Sequence, residues 1–202
     1  MAQLKLLDVE PNAMLSRSDE FYTPPSIMAW VGKVDLDPCA EPARRFPATR
    51  HIVGCEGGDG LSEVWGPVRD GNKLHIPSRP ARVFCNPPYN RDPNNTSQLE
   101  RWVSKCATEY KAGRADPIIA LIPFRPSESY WWGPIFGCAR AVFAIRGRVR
   151  FCNSAGTQVS VGGTFASCLV IWGDGTLGLH AIREIQRRAG DNVQLLSMMG
   201  AG

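Results

Sequence analysis

Apolar residues along the chain gather in short runs, set apart by polar, Pro- and Gly-rich stretches at 8–18, 54–60, 90–96 and 153–157. The runs at 33–36, 51–53, 82–85, 118–122, 141–145 and 165–172 have strand length. Several are apolar at every position, as in strands covered on both faces. Helical spacing lies between them. Leu99, Trp102, Val103, Cys106, Ala107 and Tyr110 recur on one face of a segment that Ser97 and Glu100 open as a capping box and Gly113 closes, which predicts a helix over 97–112. A second, short helix is expected near Ser127, interrupted by Pro134. A third covers about 179–189, with Leu179, Ile182 and Ile185 on one face. Thr23 is read as the cap of a further helix with Pro24 at its first position. Strands alternating with helices predict an α/β domain with a mainly parallel sheet.

The 202 residues suit one compact domain. Within it, 1–18 reads as a peripheral N-terminal segment and 174–202 as a C-terminal helical one. The net charge of +4 is compatible with a polyanionic partner without requiring one. Seven widely spaced cysteines, no C-x-x-C and three scattered histidines predict neither a disulfide framework nor a metal site. The thiols fit small core side chains in a reducing cytosol. Residues 1–15 lack a signal-peptide apolar stretch, and the apolar runs near 118–124 and 166–172 are too short to span a bilayer, so a cytoplasmic location is expected.

Ligands of open α/β sheets sit beyond the carboxyl ends of the strands. The run at 82–85 ends on Asn86-Pro87-Pro88-Tyr89, because two prolines cannot continue a central strand. The prolines stiffen a loop that presents two acceptors, the Asn86 side-chain carbonyl and the Pro87 backbone carbonyl. Two such acceptors suit the two N–H groups of an amine conjugated to a ring. Drawing on both makes the nitrogen more pyramidal and more nucleophilic, and a rigid loop holds them ready. Tyr89 offers a stacking face for a base turned out of its helix. The same tetrapeptide serves enzymes that methylate glutamine amides, so it does not by itself select adenine.

These residues belong to an ordered set of blocks. They are Asp19-Glu20-Phe21-Tyr22-Thr23-Pro24-Pro25, Asp35-Leu36-Asp37-Pro38-Cys39-Ala40, Asp59-Gly60-Leu61 with Trp65-Gly66, Phe84-Cys85-Asn86-Pro87-Pro88-Tyr89, Leu121-Ile122-Pro123 with Trp131-Trp132, Gly147-Arg148-Val149-Arg150-Phe151, and the run from Phe165 to Trp172. In this set the chain resembles the phage-type DNA N-6-adenine methyltransferases, the Dam family of phages and prophages. The resemblance implies a Rossmann-like methyltransferase fold, with a mainly parallel sheet, an antiparallel C-terminal hairpin and helices on both faces. It implies S-adenosyl-L-methionine as cofactor and adenine in DNA as acceptor. It also implies a role such as protecting phage DNA from restriction, in the host cytoplasm.

By the same resemblance, Asp37-Pro38-Cys39-Ala40 wraps the methionine end of the cofactor, with Asp37 on its ammonium group. Tyr22-Thr23-Pro24 touches the cofactor carboxylate through Thr23. Asp59 accepts from the adenine amino group, with Gly60 beside it and Leu61 on the ring. Ala40-Glu41-Pro42 departs from the Gly-x-Gly that many methyltransferases carry at this turn. Glu56 is a candidate for the acidic residue that holds the ribose hydroxyls. On the DNA side, Arg91 follows the tetrapeptide and Arg125 ends another strand. Arg146, Arg148 and Arg150 alternate, which would put them on one face of an extended hairpin strand facing phosphates. An RNA adenine, a protein glutamine, or nucleic-acid binding without turnover are the other readings. The sequence carries no signature of recognition site, strand preference or oligomeric state.

Overall fold

The structure, a computed structural model, describes residues 22–67, 69–70, 73–74, 79–89, 97–158 and 165–198. A seven-stranded sheet forms its centre. Its strands are β1 (Val34–Asp37), β2 (Ala48–His51), β5 (Ala81–Cys85), β6 (Ala115–Pro123), β7 (Ala141–Ile145), β8 (Ser167–Trp172) and β9 (Val193–Met198), in the order β2-β1-β5-β6-β8-β7-β9. β3 (Arg69–Asp70) and β4 (Lys73–Leu74) pair antiparallel apart from it. The first four strands in the sheet order run parallel, and β8, β7 and β9 add antiparallel pairs.

Each face of the sheet is covered. Cys85, Ala120, Ile122 and Val170 pack with Leu99, Trp102, Val103 and Cys106 of α2 (Gln98–Lys111). Their neighbours Phe84, Ile119, Leu121 and Ile171 pack with Ile27 and Val31 of α1 (Pro25–Val31) and with Ile182 and Ile185 of α3 (Thr176–Ala189). This alternation is the reason the strand sequences read as unbroken apolar runs.

β2 lies on one side of β1 and the next strand of the sheet in chain order, β5, lies on the other. The chain therefore changes direction between β1 and β5, and their carboxyl ends flank the crevice that such a switch opens. Beyond β1 the pairing continues through the Ile52 N–H to the Asp37 carbonyl (2.9 Å) and the Ala40 N–H to the Ile52 carbonyl (3.0 Å). The turn that carries Asp37 to Ala40 is thus held as firmly as the strand.

The structure corrects several local expectations. Pro24 is the N-cap of α1 and Pro25 opens it; no side chain caps this helix. With two prolines in a row, the second takes the position where a missing N–H does least harm, and Thr23 is displaced from the cap. Ser97 does accept from the Glu100 N–H (3.3 Å), but the Glu100 carboxylate accepts from the Ser129 hydroxyl (3.1 Å) in place of the reciprocal bond. Near Pro134 the chain makes a π-helical turn, Trp131–Ile135. Arg146, Arg148 and Arg150 do not form an extended strand. β7 ends at Ile145, and Gly147 at φ +73 bends the chain away. The segment 174–202 is not helical throughout, because β9 follows α3 and forms an edge of the sheet.

Candidate active site

A cavity of about 390 Å³ opens at the carboxyl ends of β1 and β5, a volume that holds a small organic ligand. Four loop segments supply most of its lining. The β1 end supplies Asp37, Pro38, Cys39 and Ala40; the loop after β2 supplies Asp59, Gly60 and Leu61; the β5 end supplies Asn86, Pro87 and Pro88; the chain before α1 supplies Tyr22 and Thr23. Segments scattered over 22–102 in sequence thus converge on one space. Pro24 and Tyr89 do not line it, and Arg91 lies outside the described residues.

The walls meet closely at Gly60. A Cβ there would stand 2.2 Å from the Pro38 carbonyl oxygen and 2.6 Å from the Trp102 ring. Only a residue without a side chain lets the two loops approach so far. Gly60's carbonyl accepts from the Trp65 indole (2.8 Å), which fixes the loop from below. Phe46, stacked on Phe84 with ring centroids 4.1 Å apart, forms part of the apolar lining.

Asp37 is 6% exposed, and its Oδ1 accepts from the Cys39 N–H (3.1 Å). Burial pushes its carboxyl up to about 7, against the Cys39 hydrogen bond and with a smaller contribution from the charge of Glu41. A carboxylate in that position gains from a cationic group delivered into the cavity. Beside it, Cys39 and Cys85 bring their Sγ atoms to 3.5 Å. Burial pushes Cys39 up to about 11 and Cys85 well above its ordinary value, so both stay as thiols at neutral pH.

Asn86 is half-buried between two hydroxyls. Its Nδ2 donates to the Thr23 Oγ1 (3.2 Å), and its Oδ1 accepts from the Tyr89 hydroxyl (2.9 Å). That hydroxyl lies equally close to the Leu121 carbonyl oxygen (2.9 Å). Burial pushes the Tyr89 phenol well above its ordinary range, so it remains a donor. The Tyr89 ring stands edge-on to Phe151 and Phe165, at 6.1 and 5.5 Å. Thr23, freed from capping, serves the carboxamide of Asn86.

Two features were not read from the sequence. Glu41 lines the cavity with a side chain only 8% exposed, bound by Arg45 four residues on. The i, i+4 spacing was visible, but the turn that buries it was not. Trp102 and Gln98 bring the start of α2 into the wall. Glu56 instead turns outward to an ion pair with Arg44, both nearly half-exposed, and does not line the cavity. Asp59 is exposed, and its Oδ1 accepts from the Leu61 N–H (3.0 Å).

Arg125, Arg146, Arg148 and Arg150 are exposed, and the Arg125 guanidinium sits over the Phe165 ring at 5.4 Å. Phe165 in turn touches Tyr89, which links Arg125 to the tetrapeptide. Among the described residues, no group of three or more His, Cys, Asp or Glu is placed to hold a metal ion, and no helix is long and apolar enough to cross a membrane.

The family model described as DNA N-6-adenine-methyltransferase (Dam) matches residues 15–190, which include every wall of the cavity. No curated protein and no solved structure matches the chain.

Proposed function

The chain belongs to the DNA N-6-adenine-methyltransferase (Dam) family, and from that premise we propose that it is a Rossmann-like enzyme that transfers a methyl group from S-adenosyl-L-methionine to the N6 amino group of an adenine turned out of DNA. One observation carries the reading. The Asn86-Pro87-Pro88 loop shares a single cavity with a buried carboxylate, Asp37, that has no cation of its own among the described residues.

The residues fit this cofactor. Asp37 would hold its ammonium group, and the Thr23 hydroxyl would meet its carboxylate. The loop at 59–61 lines the same cavity, where Leu61 would pack on the cofactor's adenine ring and Asp59 would accept from its amino group. When bound, the cofactor supplies an electrophilic methyl group on its sulfonium sulfur.

The chain's own task is then to position and polarise the amine. The Asn86 Oδ1 and the Pro87 carbonyl oxygen accept the two N6 hydrogens, which localises the nitrogen lone pair toward the methyl group. The Tyr89 hydroxyl has one proton and two acceptors at equal distance. Donated to the Asn86 Oδ1, it steadies the carboxamide, whose oxygen keeps a second lone pair for the amine. The ring of Tyr89 gives the extruded base a face to stack on. Arg125, joined to Tyr89 through Phe165, contacts phosphates of the target strand, and Arg146, Arg148 and Arg150 add charge to the same partner.

The direct test uses methyl-labelled S-adenosyl-L-methionine with unmethylated DNA, and with RNA in parallel. Labelled N6-methyldeoxyadenosine supports the reading. Label in RNA alone, or in neither nucleic acid, overturns it.

A further inference from the structure

Between β7 and β8 the chain leaves the sheet at Ile145 and returns at Ser167, which pairs with Pro123 at the carboxyl end of β6. β6 runs parallel to β5, so this connection stands at the same edge of the sheet as the Asn86 loop. Its first part, 146–158, is closed by a tight turn. The Asn153 N–H donates to the Thr157 carbonyl (2.9 Å), the Gly156 N–H donates to the Asn153 carbonyl (2.9 Å), and the Thr157 N–H donates to the Asn153 Oδ1 (3.0 Å). Gly156 takes φ +80, which suits a residue without a Cβ.

The turn is fixed to the site from several sides. Phe151 is buried, with its ring edge-on to Tyr89. The Cys152 backbone exchanges hydrogen bonds with Tyr22 of the cavity wall (3.2 and 2.9 Å). The Ser154 carbonyl accepts from the Arg45 guanidinium, which also binds Glu41 in that wall. Gln158 stands across from Cys152. Its side chain and that of Thr157 are exposed and make no hydrogen bond among the described residues.

The charge of this region is one-sided. The chain carries 19 acidic residues, and none of them falls between 129 and 173. Arg146, Arg148 and Arg150 are exposed just before the turn, while 151–158 has no charged residue. Phosphates take cations, and base edges take neutral groups that both donate and accept. A cationic shoulder with a neutral, hydrogen-bonding tip divides in that way, and the major groove admits a two-stranded ribbon. The Gln158 carboxamide has a donor and an acceptor side by side, and the Thr157 hydroxyl can do either.

We propose that the turn at 153–158 reads the bases beside the target adenine, with Gln158 and Thr157 bonding to base edges while Arg146, Arg148 and Arg150 hold the flanking phosphates; this rests on the DNA methyltransferase reading above. The anchoring through Phe151 and Cys152 sets the reader against the loop that holds the target base, so the two are in register. Gln158 and Thr157 are specificity residues in this account. Asn153 and Arg45 are positioning residues, which hold the turn in shape and in place.

Methylation of duplex DNA in which the bases flanking one adenine are randomised tests the assignment, with the modified adenines mapped by sequencing. The wild type is expected to favour its best context over its worst by about 10- to 100-fold, the range of one or two base-edge contacts. Gln158→Ala and Thr157→Ala each lower that ratio about fivefold or more by slowing the preferred context alone, with affinity for S-adenosylhomocysteine unchanged. Gln158→Ala carries the test if the Thr157 variant disturbs the turn. Arg146→Gln slows every context alike and leaves the ratio as it was. A hairpin that only supported the fold would behave like the arginine variant at all of these positions. A wild type indifferent to the flanking bases, or a ratio unchanged in both the Gln158 and Thr157 variants, overturns the proposal. Methylation of no context by the wild type overturns the methyltransferase reading and this inference with it.

Discussion

The Tyr89 hydroxyl stands 2.9 Å from the Asn86 side-chain oxygen, so the phenol sets which way the carboxamide faces. Thr23 completes the arrangement by accepting from the Asn86 nitrogen on the other side. Tyr89 is thus more than a surface on which a base can stack. Tyr89→Phe keeps the ring and its contacts with Phe151 and Phe165 but removes the hydroxyl. We expect it to lower kcat about tenfold, equivalent to one modest hydrogen bond at the transition state, with little change in cofactor affinity. Single-turnover kinetics on a DNA substrate would read this. An unchanged rate would show that Asn86 keeps its orientation without the phenol.

The proposed contact between Asp37 and the cofactor's ammonium group predicts a pH-dependent affinity. With its carboxyl pushed up to about 7 by burial, ionisation of this group falls within the neutral pH range. Only the ionised form attracts an ammonium group. Affinity for S-adenosylhomocysteine is expected to rise as pH increases from 6 to 8 and then to level. Binding below pH 7 should release a proton, visible as a dependence of the heat on buffer. Affinity that is flat across this window would exclude Asp37 as the partner of the cation.

The same shift has the opposite sign for folding. A carboxyl whose folded value is raised above its ordinary 3.8 favours the folded state at low pH, and that contribution is lost as pH rises through about 7. Asp37→Asn removes the penalty. The ligand-free variant should therefore melt higher than the wild type at pH 8, by about 2–4 °C for each kcal/mol recovered, and the gap should close toward pH 4. Loss of binding together with a gain in stability would mark Asp37 as a functional residue rather than a structural one.

Gly60→Ala tests the shape of the cavity. The added methyl group meets the Pro38 carbonyl at 2.2 Å, and that carbonyl belongs to a turn pinned by Ile52. The loop must move, and cofactor affinity should fall about tenfold or more. Calorimetry would detect it, and wild-type affinity would mean that the loop does not approach the ligand.

Further along α2, Glu109 is 0% exposed and is held by Arg114 (2.7 Å), Lys105 (2.7 Å) and the Trp65 N–H (3.3 Å). Its carboxyl stays below its ordinary 4.5, because these partners outweigh the burial that acts against them. That stabilisation is present at neutral pH and is lost as pH falls below about 4.5. Glu109→Ala strands the partners and should destabilise by about 3 kcal/mol, lowering Tm by about 6–12 °C. Thermal melts at pH 7 would measure it, and a drop of a degree or less would contradict the network's importance.

The strands and the long helix were legible because the sheet is covered on both faces. Phe84 and Cys85, or Leu121 and Ile122, point to opposite layers and are both apolar, so the runs stand out. The Asn86 loop was legible because prolines end a strand wherever they fall. Positions that depend on a neighbour's choice were not. Thr23 looks like a cap until Pro24 and Pro25 take the first two places. Arg146, Arg148 and Arg150 look like a strand until Gly147 turns the chain. Glu41 looks like a surface turn residue, and only the fold of 38–47 back onto the sheet buries it. The sequence also did not show that Val193–Met198 returns to the sheet as β9, because its partner β7 (Ala141–Ile145) lies far back in the chain, before β8 and α3.

The central claim is methyl transfer to adenine N6 by the Asn86 loop, and nucleoside mass spectrometry tests it most directly. Purified protein, labelled S-adenosyl-L-methionine and unmethylated DNA should yield labelled N6-methyldeoxyadenosine, and Asn86→Ala should yield none while still binding S-adenosylhomocysteine. No labelled nucleoside from the wild type, or full activity in Asn86→Ala, would contradict the account.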